Sequence, residues 1–431
     1  MAVLSCIFAG AVLFANGIQD KSAGAKGPAT VSITFATGDV TTKETIHTIV
    51  QNFNKSQNQY KLQENLSISQ GAYLDSLKTL NASGQMPDIF ECRDVPVFVR
   101  ADMIEPLPQD LLGLFETTVP VYGTVYTAPF VAQYPHVILY NKTVFDKYGI
   151  NQTPKTYADF LKICDDLKSH GVTPMAAGVA DIWHIGFLYS YFFAQYVTHG
   201  DPNYISKVYS GKAKFDSPEM IDAMTKLQTL FQNGDMEKGF MSTKESQLVS
   251  LLVGEKAAMI YTGSWTISQI MEADPEFKLG FFPIPDDKGN ILLQGGSTSQ
   301  GWALTKTAAK DPAKKAAFSA FMKYFFSKEQ YTYFLKTTNA FSTTKEHMVY
   351  ETTPVMAEIL KVSAANKKYL MWNIGVGENE LPPSFRNWTY KKVQEMLMGQ
   401  ITPQQLVKAM DEEWAVETRD FNPTKLVKKA L

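Results

Sequence analysis

Cysteine is nearly absent from this chain of 431 residues: Cys6, Cys92 and Cys164 are all there is, and none is spaced as CxxC. A zinc ribbon, a disulfide scaffold and a thioredoxin-like redox site are thereby excluded. Excess positive charge is absent too, with 41 Lys and Arg against 43 Asp and Glu and a net charge of −2. No nucleic-acid partner is expected, because nothing is there to displace counterions from phosphates, and total charge gives no hold on an anionic membrane. Beyond the N-terminus no apolar run reaches the ~20 residues of a transmembrane helix. Gly296 and Gly301 have the glycine spacing of a phosphate-binding loop, but Trp302 stands where lysine must be. Gly375 and Gly377 lack the third glycine and preceding strand of a dinucleotide fingerprint. HExxH and GxSxG do not occur, and His47, His136, His170, His184, His199 and His347 include no i, i+4 pair. No cofactor, no metal and no catalytic residue is expected.

What the chain has is core-forming material. Hydrophobic residues make up 45%, and there are 27 Phe, 20 Tyr and 6 Trp. At roughly 100–200 residues per domain, two or three domains are expected. Met1–Ala15 is apolar and uncharged. It is too short to span a membrane and fits the apolar stretch of an export signal with Ala15 at the cleavage point. The basic start of such a signal is missing, so either the start lies upstream or the run is a buried N-terminal helix. Val3-Leu4-Ser5-Cys6 reads like a lipid-attachment motif set ahead of most of the apolar run instead of after it. Residues 1–27 are therefore read as a signal peptide or anchor plus linker.

Periodicity organises the rest. Val31, Ile33 and Phe35 alternate with polar neighbours, as in a strand with one buried face. Ile46, Ile49, Val50 and Phe53 fall on one helix stripe, and Tyr73, Leu74, Leu77 and Leu80 on another, before Asp88-Ile89-Phe90 reads as a buried strand. This β-α-(β)-α-β order argues for an α/β unit with crossover helices. Thr156 and Asp159 form a capping box ahead of Phe160, Leu161, Cys164 and Leu167. Gln247–Val253 reads as a helix and Ala257–Thr262 as an apolar strand. Asp311-Pro312 opens a helix whose buried face is expected at Ala316, Ala317, Ala320, Phe321, Tyr324 and Phe325.

Four segments carry the functional signal: Gly84–Phe90; Tyr126–Phe130 with Val137–Ile150 and Thr153–Phe160; Leu252–Trp265; and Gly280–Pro285 with Gly295-Gly296 and Gly301–Lys306. In these segments, their order and their spacing, the chain resembles the extracellular solute-binding proteins of ATP-driven sugar importers, the family-1 group that includes maltose-binding protein. The likeness covers roughly residues 30–410. It implies a two-lobe periplasmic-binding-protein-like α/β fold of type II, with residues 28–131 and 296–338 in lobe 1, residues 132–295 and 339–431 in lobe 2, and ligand between them. It also implies a secreted or periplasmic monomer, or a lipoprotein on the cell surface, that captures a sugar or oligosaccharide and hands it to a membrane permease without chemistry. A carbohydrate-active enzyme using two of Asp39, Glu91, Asp94 and Asp181, and an extracellular sugar-sensor subunit, stand as alternatives.

The resemblance also suggests site residues. Trp265, one step past a strand and Gly263, is placed to stack on a sugar ring, with little expected cost to the fold on its removal. Asp39 in Gly38-Asp39, and Glu91 and Asp94 after the Asp88–Phe90 strand, match positions where related proteins accept sugar hydroxyls. Gln133 and Tyr134 lie where the chain first crosses between lobes, and the neutral Gln133 departs from the glutamate of maltose-binding protein. Asp181 and Trp183 form a loop carboxylate–indole pair, with His184 as a neighbour. Gly296 and Ser297 allow close backbone approach. Trp372 is placed as a second stacking ring, with Arg386 and Trp388 as further candidates, whereas Trp302 is expected in a strand core.

Overall fold

A computed structural model describes residues 29–34, 40–65, 73–132, 134–346, 348, 350–421 and 423. Met1–Ala15, Cys6, Asp39 and Gln133 lie outside the described residues.

The strands are β1 (Ala29–Thr34), β2 (Tyr60–Asn65), β3 (Ile89–Cys92), β4 (His136–Asn141), β5 (Met175–Ala176), β6 (Met259–Gly263), β7 (Leu279–Phe282), β8 (Leu292–Gln294), β9 (Gly301–Leu304) and β10 (Lys367–Tyr369). One sheet runs in the order β2-β1-β3-β9, with β1 parallel to β2 and β3, and β9 antiparallel to β3. A second runs β5-β6-β4-β7, with β5 parallel to β6 and β4 antiparallel to β6 and β7. β8 and β10 form a separate parallel pair.

Each sheet owns a core. Around the first, Val31, Ile33, Ile46, Ile49, Val50 and Phe53 pack with Trp302, Phe318, Phe321 and Phe325. Around the second, Ile138, Phe160, Leu167, Phe192, Met224, Leu227 and Tyr261 pack with Phe385, Tyr390, Val393 and Met410. These are the two lobes. The chain passes between them after Phe130, again between β8 and β9, and a third time after the helix Lys328–Thr338. The helix Pro312–Phe325 returns to the first lobe, where Lys314 grips Asp88 at 2.8 Å and Asp88 accepts the Ser32 amide at 2.9 Å. That fixes the entry of β3, and so the direction in which residues 91–94 leave the sheet.

Local signals act as their chemistry dictates. Thr156 and Asp159 form a reciprocal capping box on Tyr157–Ser169, which buries Phe160, Cys164 and Leu167. Asp311 caps Pro312–Phe325 by accepting from the Ala313 amide. The buried face of that helix differs from expectation: Phe318 and Met322 face the core and Ala316 is exposed. The large side chains decide the rotation, since an aromatic ring removes far more apolar area from water than alanine does. Trp302 is fully buried and stacks on Phe130 at 5.1 Å.

Candidate functional site

Between the lobes, a pocket is lined by Arg93, Asp94 and Val97 from one lobe, Ser299 and Gln300 from the second crossover, and Asn373, Glu380 and their neighbours from the other lobe. β3 delivers its acidic residues directly. Glu91 accepts from Arg93 Nε at 2.7 Å. Asp94 occupies the N-cap position of the helix Val95–Arg100, yet its side chain makes no cap hydrogen bond. Its Oδ1 instead accepts from Arg386 Nη1 at 2.8 Å, across the cleft. Both side chains are more than four-fifths shielded, at 18% and 16% exposure, where an ion pair is screened less than on a surface.

Glu380 forms another cross-lobe contact. Its carboxylate accepts from Arg100 Nη1 and from the Tyr122 hydroxyl. Burial pushes the Glu380 carboxyl above its ordinary range, with Arg100 pulling the other way.

Nearer the hinge, Trp265 follows the end of β6 and occupies the N-cap of the helix Thr266–Ala273. One side of its indole is seated on Gly263, where a Cβ would come within 1.8 Å of the ring. Tyr134, His136 and Phe187 meet it edge to face at 5.1, 5.3 and 5.7 Å. Its Nε1 donates to Glu245 Oε1 at 3.2 Å. The Glu245 amide in turn donates to Asp181 Oδ2 at 2.8 Å, so Asp181 orients the segment that holds the indole nitrogen. Trp183, expected in a loop, is half-buried in the first turn of the helix Ile182–Phe192 and 5.5 Å from Phe187. Beneath this aromatic group, His136 and His184 are buried and held neutral, each pushed down to about 3 chiefly by burial.

The structure thus brings Asp94 and, through Arg93, Glu91 to one pocket, and groups Tyr134, Trp183, Trp265 and Asp181 beside the hinge. Gly296, at φ 103°, and Ser297 lie in the second crossover but do not line the pocket; Ser299 and Gln300, a few residues on, do. Trp372 is corrected. It is 4% exposed, packs on Tyr189 at 4.7 Å and donates to the Tyr390 hydroxyl at 3.0 Å, so its ring belongs to the core of the second lobe and offers no stacking face. Trp388 stacks on Phe385 at 6.0 Å. Ser299, Gln300, Asn373 and Glu380 escaped the sequence reading. Ser299 and Gln300 carried a signal, following Gly295-Gly296 in the same crossover; Glu380 carried none, since its partners lie 258 and 280 residues away. Among the described residues no cluster of three His, Cys, Asp or Glu side chains is placed to hold a metal, and no helix is long and apolar enough to cross a membrane.

Comparison with known proteins gives consistent matches. A family described as bacterial extracellular solute-binding protein matches residues 48–353. A multiple sugar-binding protein of Streptococcus mutans is 26% identical over 266 residues, 58% of this chain and 60% of that protein. A melibiose/raffinose/stachyose-binding protein of Bacillus subtilis is 25% identical over 169 residues, 38% of each chain. The match thus spans about 60% of the length of the first of these relatives and less of the second. Among solved structures, a chitin oligosaccharide binding protein superposes with a TM-score of 0.79 at 23% identity, covering 91% of this chain and 99% of that one. A solute-binding protein in complex with raffinose gives 0.69 at 21% identity, covering 89% and 98%. At these identities the structures show a shared two-lobe fold.

Proposed function

We propose a ligand and a task for this chain, which belongs to the bacterial extracellular solute-binding protein family: it captures a sugar or oligosaccharide between its lobes and delivers it to an ATP-driven membrane permease. The observation that carries the reading is a pair of contacts between the lobes, Asp94 with Arg386 at the pocket and the partly buried Trp265 with Tyr134 where the chain crosses. Sugar hydroxyls donate and accept at once. A carboxylate next to a guanidinium offers an acceptor and donors in fixed relative position. An indole offers a flat apolar surface to the C–H face of the ring. The sugars named for the relatives, melibiose, raffinose, stachyose and chitin oligosaccharides, belong to this class.

Capture without turnover fits the carboxylates. Glu91 is tied to Arg93, Asp94 to Arg386 and Asp181 to the Glu245 amide. Each of these carboxylates already serves a donor of the chain itself, whereas glycoside cleavage needs a pair of carboxyl groups free to flank the scissile bond.

A division into residues 28–131 with 296–338, and 132–295 with 339–431, is supported at Asn339, which is tied to Ser264 and Ser268 beside Trp265, while Ala340, Met348 and Tyr350 still pack on the first lobe's core and set the last crossing further along the chain. The working unit is a monomer at the outer cell surface, freed by signal cleavage or held there by a lipid on Cys6.

A thermal-shift screen tests the ligand class, using raffinose, stachyose, chitin oligosaccharides and maltose against citrate, amino acids and spermidine. A sugar at 100 times its Kd stabilises by about 2.7 kcal/mol through mass action. Stabilisation by a non-sugar alone, with every sugar silent, would overturn the reading.

A further inference from the structure

From residue 370 to residue 382 the chain runs between β10 and the helix Pro383–Leu397 with a single 3₁₀ turn, Gly377–Asn379. Trp372 anchors its start in the core of its own lobe, and three consecutive residues anchor its end. Asn379 accepts the Ser206 amide at 2.9 Å and donates to Asn203 at 3.1 Å, the Glu380 carbonyl accepts from the Tyr209 hydroxyl at 3.0 Å, and Leu381 is buried in the lobe's core. Its outer side belongs to the other lobe. Val376 packs on the cluster of Tyr73, Leu77, Phe90 and Phe98. The Glu380 carboxylate is held by Arg100 and Tyr122, which hydrogen-bond each other at 2.9 Å. Arg100 in turn lies over the Phe421 ring at 4.5 Å.

Glu380 therefore joins the lobes through a single residue, backbone to one and side chain to the other. Only 3% of its side chain is exposed. A buried carboxylate is stable only while its donors stay in place. Moving the lobes apart takes both donors away at once. Asn373, Ile374, Gly375 and Val376 meanwhile form one wall of the pocket, so releasing Glu380 uncovers the site. Every contact named is made between the chain's own groups.

We propose that residues 373–383 are a strap across the cleft, clasped by Glu380 on Arg100 and Tyr122, and that this clasp sets how often the cleft opens. The proposal goes beyond the sugar reading and does not depend on it, because its test adds no sugar.

Hydrogen exchange of the full chain, read by mass spectrometry, measures strap opening directly. Glu380→Gln and, from the opposite lobe, Arg100→Gln are each expected to speed exchange in the strap about tenfold or more, the equivalent of 1.4 kcal/mol. β6, deep in one lobe, is expected to keep its protection. Lys323→Gln, which breaks an exposed ion pair with Asp110 inside the first lobe, is expected to leave the strap at the wild-type rate. If either strap variant also loses protection in β6, the fold itself has been damaged, and the milder Tyr122→Phe decides: faster strap exchange with β6 intact supports the clasp. Unchanged strap exchange in folded variants, or equal acceleration by Lys323→Gln, would overturn it.

Discussion

Asp94 and Arg386 stand 292 residues apart in the chain and 2.8 Å apart in space, one on each lobe. Asp94 stands at the N-cap of the helix Val95–Arg100, yet its carboxylate serves the opposite lobe instead. Asp94→Asn keeps the shape and removes the charge. A hydrogen bond to a charged group is worth about 1.5–3 kcal/mol, so the affinity for the sugar found by screening is expected to fall roughly tenfold to hundredfold, measured by calorimetric titration. An unchanged affinity would remove Asp94 from the site.

Trp265, the proposed sugar platform, is also packed into the fold, which changes what its removal does. The sequence suggested a platform whose loss leaves the fold untouched. The structure seats one side of the ring on Gly263 and its edges among Tyr134, His136 and Phe187. Trp265→Ala is expected to weaken sugar binding by about 30-fold or more, as truncated aromatic hot spots do, and also to lower the melting temperature. Gly263→Ala pushes a methyl group into the same ring and is expected to destabilise by about 1–3 kcal/mol, with a shift in tryptophan fluorescence. Wild-type stability and fluorescence for Gly263→Ala would contradict this packing.

Trp372 gives the opposite pattern. Its ring is enclosed by Tyr189, Phe193, Phe385 and Tyr390. Trp372→Ala is expected to cost about 3–5 kcal/mol in urea unfolding, while the folded fraction binds sugar with unchanged affinity.

His136 and His184 make stability depend on pH. Folded, each titrates at about 3 because burial disfavours its charged form. Unfolded, each titrates near ~6.5. Between those values the unfolded chain binds protons that the folded chain refuses, so stability is complete above ~6.5 and falls as pH drops toward ~3. The slope is about 1.4 kcal/mol per pH unit for each histidine in mid-window. His184→Gln is expected to flatten the decline in unfolding free energy between pH 6 and pH 4 by about that slope. An identical pH dependence in variant and wild type would contradict the assignment.

Where the physics is local, the sequence was a sufficient guide. Thr156 with Asp159 and Asp311 before Pro312 mark helix starts by hydrogen bonds that close within three residues. The stripe of Ile46, Ile49, Val50 and Phe53 marks a buried face because 3.6 residues make a turn. The α/β class and the two lobes followed from such signals together with the ordered segments. The site was less legible, because its geometry is made by contacts that no local pattern encodes. Nothing near Glu380 points to Arg100 or Tyr122. Trp265 stands between Ser264 and Thr266 and Trp372 between Met371 and Asn373, flanks that do not tell a site ring from a core ring, and it is the packing of the helices Ile182–Phe192 and Pro383–Leu397 that buries Trp372.

The central claim is capture of a sugar between the lobes without chemical change. Calorimetric titration of the chain with the oligosaccharide selected by screening, followed by mass analysis of the recovered ligand after prolonged incubation, tests it most directly. The account predicts saturable binding to one site per chain, weakened in Asp94→Asn and in Trp265→Ala, with the oligosaccharide recovered intact. Absence of binding by every sugar in the panel, equal affinity in both variants, or recovery of a cleaved oligosaccharide would contradict it.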